Sequence, residues 1–200
     1  MKQLHRPDLF AWSAYDEALR LDFNSFLWTR EHGNVLVDPL ALAPADEKHL
    51  AELGGAAWIV VTNSHHVRGA REIAARTGAR LLAPRAERGS FPAPCERWLG
   101  DGDEPFAGLR VRELQGSKTD GELALVLEET TVIFGDLVRS SRADTLVLLP
   151  PSKLRDAALA LDSVRRVRTL HPRISNVLVG DGWCAFRHGG ALLDELVGAA

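Results

Sequence analysis

Scarcity sets the first bounds on this chain. It has only two cysteines, Cys95 and Cys184, far apart in sequence. That excludes a disulfide framework and a close-spaced metal-binding pair, so each reads as a buried or inert thiol. No sign of charge dominates either: 27 acidic against 24 basic residues leave a formal net charge of -3 and no broad positive field for a nucleic-acid backbone. No apolar run approaches the roughly 18 to 20 residues that span a bilayer, and the opening stretch MKQLHRPDLFAWSAYDEALRLDF lacks a signal-peptide core. The expectation is a cytoplasmic protein without nucleic-acid or membrane partners. The glycines of GDGDE and GDGW start no P-loop or Rossmann pattern, and no nucleophile–histidine order stands out.

What is present suits a globular chain. Its 200 residues, 46% hydrophobic and 26% charged, suffice for a single domain over 1–200 with a sizeable core. Residues 19–30 alternate apolar and polar, EHGN supplies a turn, and VLVD at 35–38 completes an expected antiparallel hairpin. PADEKHLAELGG predicts a short helix with acidic residues early and glycines to end it. AAWIVVT predicts a buried strand, and VRGAREIAART a helix with Val67, Ala70, Ile73 and Ala74 on one face and Gly78 at its C-terminus. ARLLAP predicts another strand, and 85–108, rich in proline and glycine, predicts loop.

The second half opens with the strand-like runs LRVREL, LALVLEE and TVIFGD, the last two close enough for a hairpin at Glu129 and Thr130. PSKLRDAALALDSVRRVRTL predicts a helix capped by Ser152. NVLVGDGW predicts a strand running into a turn, and ALLDELVGA a closing helix. Each half thus has strands followed by strand–helix alternation, which implies two packed sheets with helices outside.

Four segments in this order, VLVDP, TNSHHVRGAREI, GSKTDGELALVLEETTVIFGDLV and VLVGDGW, resemble the metallo-β-lactamase superfamily. The resemblance implies an α+β fold, a four-layer αββα sandwich of two mixed sheets with its active site along one edge. The family's matching pieces are a strand ending in Asp, a His-x-His-x-Asp-His motif at a helix start, a histidine-bearing turn, a strand ending Gly-Asp and a Gly-His-Gly-type loop. If RGA aligns with the small residues that follow the motif, Val61 and Asn63 stand at its first two histidines, His65 at its aspartate and His66 at its last histidine. Lys118 stands at the third histidine, Asp136 matches the bridging aspartate, and Asp181 replaces the last histidine. Moving the motif by two residues puts Val67 and Arg68 at ligand positions.

The resemblance implies a dinuclear hydrolase whose cations activate water and polarise a carbonyl or phosphoryl group. Val61 has no donor atom, Asn63 is a weak neutral ligand, and Lys118 brings a cation of its own, so the first metal site reads as lost. His65, His66, Asp136 and Asp181 are able to hold one divalent ion, zinc, manganese or iron. Two readings stay open for the histidines: metal ligands, or a turn whose imidazoles bond to nearby carboxylates. In the second, Lys118 neutralises Asp136 and Asp181 in place of a metal, because two buried carboxylates without counter-charge are costly.

Asp38 reads as a loop-anchoring acceptor, and Trp183 as pocket lining or packed rim. Arg139 and Arg142 read as solvated or structurally paired, with an anionic substrate as the alternative. The leading expectation is a metallo-β-lactamase-fold, hydrolase-like protein with a degraded centre, lacking the dinuclear site and holding at most one metal. The alternatives are a single-metal hydrolase of an ester, thioester or phosphoester, and a non-catalytic protein that binds a small molecule. A homodimer is expected, since a chain short for this fold leaves apolar surface to cover.

Overall fold

The computed structural model describes residues 1–198. A seven-stranded sheet runs in chain order through β1 (Lys2–Gln3), β2 (Leu9–Asp16), β3 (Leu21–Trp28), β4 (Val35–Val37), β5 (Trp58–Val60), β6 (Arg80–Pro84) and β7 (Arg97–Leu99). The neighbours from β1 to β4 are antiparallel, and those from β4 to β7 are parallel. The second sheet contains β8 (Leu109–Leu114), β9 (Glu122–Leu127) and β10 (Thr131–Phe134) as an antiparallel meander. After a two-stranded ribbon of β11 (Val138–Arg139) and β12 (Val147–Leu148), β13 (Asn176–Val179) joins β10 in parallel.

Helices α1 (Pro44–Glu52) and α2 (Ala70–Thr77) cover the first sheet, where Leu50 and Ile73 share a core with Leu36 and Ile59. Helices α3 (Ala157–Leu170) and α4 (Gly189–Gly198) cover the second, where Val164 and Leu193 pack with Phe134 and Val179. Phe26, Val37, Leu125 and Ile133 fill the space between the sheets. The layers are therefore αββα, as the resemblance implies. Strand β9 shows why its sequence is a continuous apolar run: Leu123, Leu125 and Leu127 face the other sheet, while Ala124 and Val126 face the helices. Burying each larger side chain contributes about 1.5–3 kcal/mol.

Several elements differ from the sequence expectation. Residues 9–16, which showed no strand signal, form β2, paired along its whole length with β3 from Leu9↔Trp28 to Asp16↔Leu21. The 85–108 region is not all loop, because the edge of β6 templates the short β7. Ser152 does not cap α3. It lies in a separate 3-10 turn at Pro151–Lys153, the backbone N–H groups of Arg155 and Asp156 donate to the carbonyl of Gly116, and Asp156 caps the helix by accepting from Leu159 N at 3.0 Å. The closing helix was expected to include Ala199, which lies outside the described residues. Among the described residues no helix is long and apolar enough to cross a membrane.

Candidate functional site

Parallel pairing aims the C-terminal ends of β4 and β5 from one sheet, and of β10 and β13 from the other, at a single edge. Each strand is followed there by a polar residue: Asp38 after β4, Thr62 to His66 after β5, Asp136 after β10 and Asp181 after β13. Two glycines let these ends close on one another. A Cβ on Gly180 would lie 2.7 Å from the His66 ring and 2.9 Å from the Gly135 carbonyl, and one on Gly135 would lie 2.4 Å from the Thr62 hydroxyl. Only glycine fits at either position. On β3, Asn24 ties the edge across the sheets by donating its side-chain amide to the carbonyls of Val179 (2.9 Å) and Gly182 (2.7 Å).

Asp38 is the anchor of the first loop. Its carboxylate accepts from Thr62 N at 2.7 Å, from the Thr62 hydroxyl at 2.6 Å and from His66 Nδ1 at 2.8 Å. These bonds set the orientation of the buried imidazole and direct Nε2 toward Asp136, 3.4 Å away. Asn63, also buried, donates to Asp136 at 3.0 Å and accepts from His65 N at 2.9 Å, so its amide braces both loops. Asp38 and Arg68 hold left-handed backbone, φ 47° and 39°, a conformation that costs non-glycine residues about 1–3 kcal/mol unless the surroundings enforce it.

The cations are fixed. Lys118 Nζ donates to Asp136 Oδ1 at 2.7 Å, with its side chain only partly exposed and the carboxylate buried. Asp181 lies 3.4 Å from Arg68 and 3.3 Å from Arg139. Arg68 further donates to the Asn24 carbonyl at 2.8 Å and stacks over Phe23, 5.2 Å from the ring centre. The nearest ligand-type atoms of His66, Asp136 and Asp181 all lie within 4.8 Å of one another. His65 is outside that group: its side chain is exposed at the mouth of the cavity.

Burial by itself would lower the His66 pKa, but the charge of Asp38 and the hydrogen bonds to Asp136 and Asp38 outweigh it and raise the value to about 9. The ring is thus an imidazolium at neutral pH, although Arg68, 3.2 Å from Nε2, works against it. Burial likewise opposes ionisation of Asp136, yet His66 and Lys118 hold its pKa below the ordinary carboxylate range. Asp181 moves the other way, because burial and the neighbouring Asp136 charge outweigh His66 and its two arginines.

The structure gathers Asp38, Asn63, His66, Lys118, Asp136 and Asp181, and separates Trp183 from them. Trp183 is 58% exposed and lines a different cavity, beside Trp12 and Phe186. Two supporting residues were not singled out in the sequence. Buried Glu122 on β9 accepts from the backbone N–H groups of Asp136 (2.9 Å) and Leu137 (2.7 Å) and from the Ser117 hydroxyl (2.5 Å). Burial and the charge of Asp136 push its pKa up. Buried Glu87 accepts from Ser64 N at 2.7 Å, steadying the start of the turn that carries His66. Arg68, which the shifted register of the motif puts at a ligand position, serves Asp181 as a counter-charge instead. Nothing local in the sequence marks Glu122 or Glu87, because the backbone N–H groups they serve are brought to them only by the fold.

The family model for the metallo-beta-lactamase superfamily matches residues 1–200. No curated protein matches the chain. Among solved structures, a metallo-beta-lactamase from Erythrobacter litoralis with beta mercaptoethanol in its active site superposes with a TM-score of 0.77 at 16% identity, covering 99% of this chain and 96% of that one. A metallo-beta-lactamase from Pontibacter korlensis gives 0.73 at 16% identity over 96% and 97% of the two chains. The mono-zinc form of FIM-1 from Pseudomonas aeruginosa gives 0.73 at 18% over 96% and 90%. At these identities the structures establish the fold, and the family model establishes membership: this chain belongs to the metallo-β-lactamase superfamily.

Proposed function

We propose that this superfamily member uses the cavity at the strand ends to bind a small molecule, with fixed side-chain cations in place of a dinuclear metal centre. The observation that carries this reading is the Lys118 ammonium, 2.7 Å from Asp136. Three further features support it. Val61 is wholly buried in the core and offers no donor, the Asn63 amide is spent on Asp136 and His65, and both charged partners of Asp181 are arginines. That donor set does not fit two metal ions.

A second reading is favoured by the convergence of His66, Asp136 and Asp181, with the His66 ring oriented through Nδ1 by Asp38. These three would hold one divalent ion if Lys118 and Arg68 withdrew, and such an ion would supply Lewis-acid activation of water for a hydrolase of esters, thioesters or phosphoesters. Elemental analysis of protein purified without chelator or histidine tag, before and after exposure to zinc, manganese or iron and dialysis, separates the two. The fixed-cation centre is expected to retain none of these metals. About one equivalent, lost in His66→Ala and Asp136→Ala, would establish the single-metal site instead.

A further inference from the structure

The cavity beside Asp136 and Asp181 has a volume of about 630 Å³, in the range of pockets that enclose a small organic molecule. Its charge runs against that of the whole chain. Five basic side chains line it, Arg20, Arg68, Lys118, Arg139 and Lys153, against the two carboxylates, in a protein whose formal net charge is -3. Both carboxylates are already matched, Asp136 by Lys118 and His66 and Asp181 by the two arginines. Arg20 and Lys153 lie within 4 Å of no carboxylate among the described residues.

Donor capacity points the same way. An ammonium carries three N–H groups and a guanidinium five. Lys118 directs one toward Asp136, and Arg139 meets Asp181 through a single nitrogen, so both keep donors to offer. Arg68 has fewer to spare, since its two terminal nitrogens already serve the Asn24 carbonyl and Asp181 and its face lies over the Phe23 ring. The side chains of Lys118 and Arg139 are only 22% and 17% exposed, where a new charge pair is screened less than on open surface. Much of the rest of the wall is apolar: Leu19 on the turn between β2 and β3 is 58% exposed and Val147 is 43% exposed, and both line the cavity with Leu21 and Leu149.

We propose that this cavity binds a small amphiphilic anion, its carboxylate or phosphate held by Lys118, Arg139 and Lys153 and its apolar body lying against Leu19, Leu21 and Val147. The assignment rests on the fixed-cation reading, because a metal ion on Asp136 would displace Lys118 from the position that makes it part of the anion site.

The test is a fluorescence titration of the full chain, passed over chelating resin, with 8-anilinonaphthalene-1-sulfonate and with its uncharged counterpart N-phenyl-1-naphthylamine. Saturable binding of the sulfonate is expected, much tighter than that of the neutral dye. Octanoate or octyl phosphate is expected to displace it and octylamine is not; whichever anion acts at lower concentration identifies the headgroup. Lys153→Gln and Arg139→Gln should each weaken binding about tenfold by removing a charged hydrogen bond, whereas Arg166→Gln, on the far face of α3, should leave it unchanged. Lys153 is exposed and has no carboxylate partner among the described residues, so its variant remains informative if Arg139→Gln fails to fold.

Equal binding of the two dyes, displacement by octylamine, or indifference to Lys153→Gln would overturn the proposal. Metal analysis of the same untreated preparation keeps the two readings apart. Metal-free protein that binds no anion defeats this inference alone, and a retained equivalent of metal defeats the reading beneath it.

Discussion

At the strand-end edge, Arg68 and Arg139 meet Asp181 with all three side chains largely withdrawn from water; on the outer face of the second sheet, Arg168 meets Asp194 while the carboxylate is 57% exposed. The outer pair has the better geometry, two contacts of 2.8 and 2.9 Å. It is nevertheless the less consequential, because water solvates the exposed Asp194 carboxylate if Arg168 is lost. At the inner edge no such substitute exists, and removing one member leaves a desolvated charge. Contact distance alone therefore misranks these interactions, and burial of the group left behind ranks them correctly.

The sharpest way to break this contrast is Lys118→Met. It leaves Asp136 buried with one fewer counter-charge, and a loss of about 3 kcal/mol is expected in urea unfolding. Most of that loss should be recovered in Lys118→Met combined with Asp136→Asn, as a double-mutant cycle would register. A loss no larger than that of a surface pair would place the inner edge in the same class as the outer one.

Gly180→Ala tests the closeness of the edge without changing any charge. Its new methyl group meets the His66 ring and the Gly135 carbonyl, and a cost of about 1–3 kcal/mol is expected from the same unfolding measurement.

An effect specific to pH comes from Asp38→Asn. His66 has its folded-state pKa raised from the ordinary 6.5 to about 9, so its contribution to stability is fully present below pH 6.5 and is lost as pH rises through 9. Asp38→Asn removes a charge that raises the value, so the His66 ring should titrate at lower pH by NMR and this decline in stability should flatten. The smallest expected effect is that of Arg168→Ala, within about 1 kcal/mol and weaker still in high salt.

Much of the edge was legible because its residues sit where strands stop. VLVD, FGD and VGDG each place an acidic residue straight after a buried run, and the family pattern aligned Asp38, Asp136 and Asp181 on that basis. Lys118 was placed as a counter-charge for Asp136 and Asp181 by the family pattern; it donates to Asp136, while Asp181 is met by Arg68 and Arg139 instead. Glu122 was not, since nothing local distinguishes it from the start of an apolar strand. Its role comes from the backbone N–H groups of Asp136 and Leu137, which only the pairing of β9 with β10 brings to it. The same holds for β2, whose order depends on a partner strand, and for the start of α3, where a distant carbonyl at Gly116 decides which residue caps the helix. His65 and His66 are adjacent in sequence, and only backbone geometry tells that one turns inward and the other to solvent.

The division of this edge between the two halves of the chain has a consequence for how it comes into being. Asp38 and His66 are synthesised early, Asp136 and Asp181 late, and the Asn24 amide links the first sheet to carbonyls more than 150 positions onward. Contacts of such long range close a large loop and form at an entropic cost that local structure does not meet. A nascent or half-folded chain accordingly possesses no cavity at all. Any ligand of the edge stabilises only the docked pair of sheets, and its binding serves as a clock for the moment at which the two halves meet.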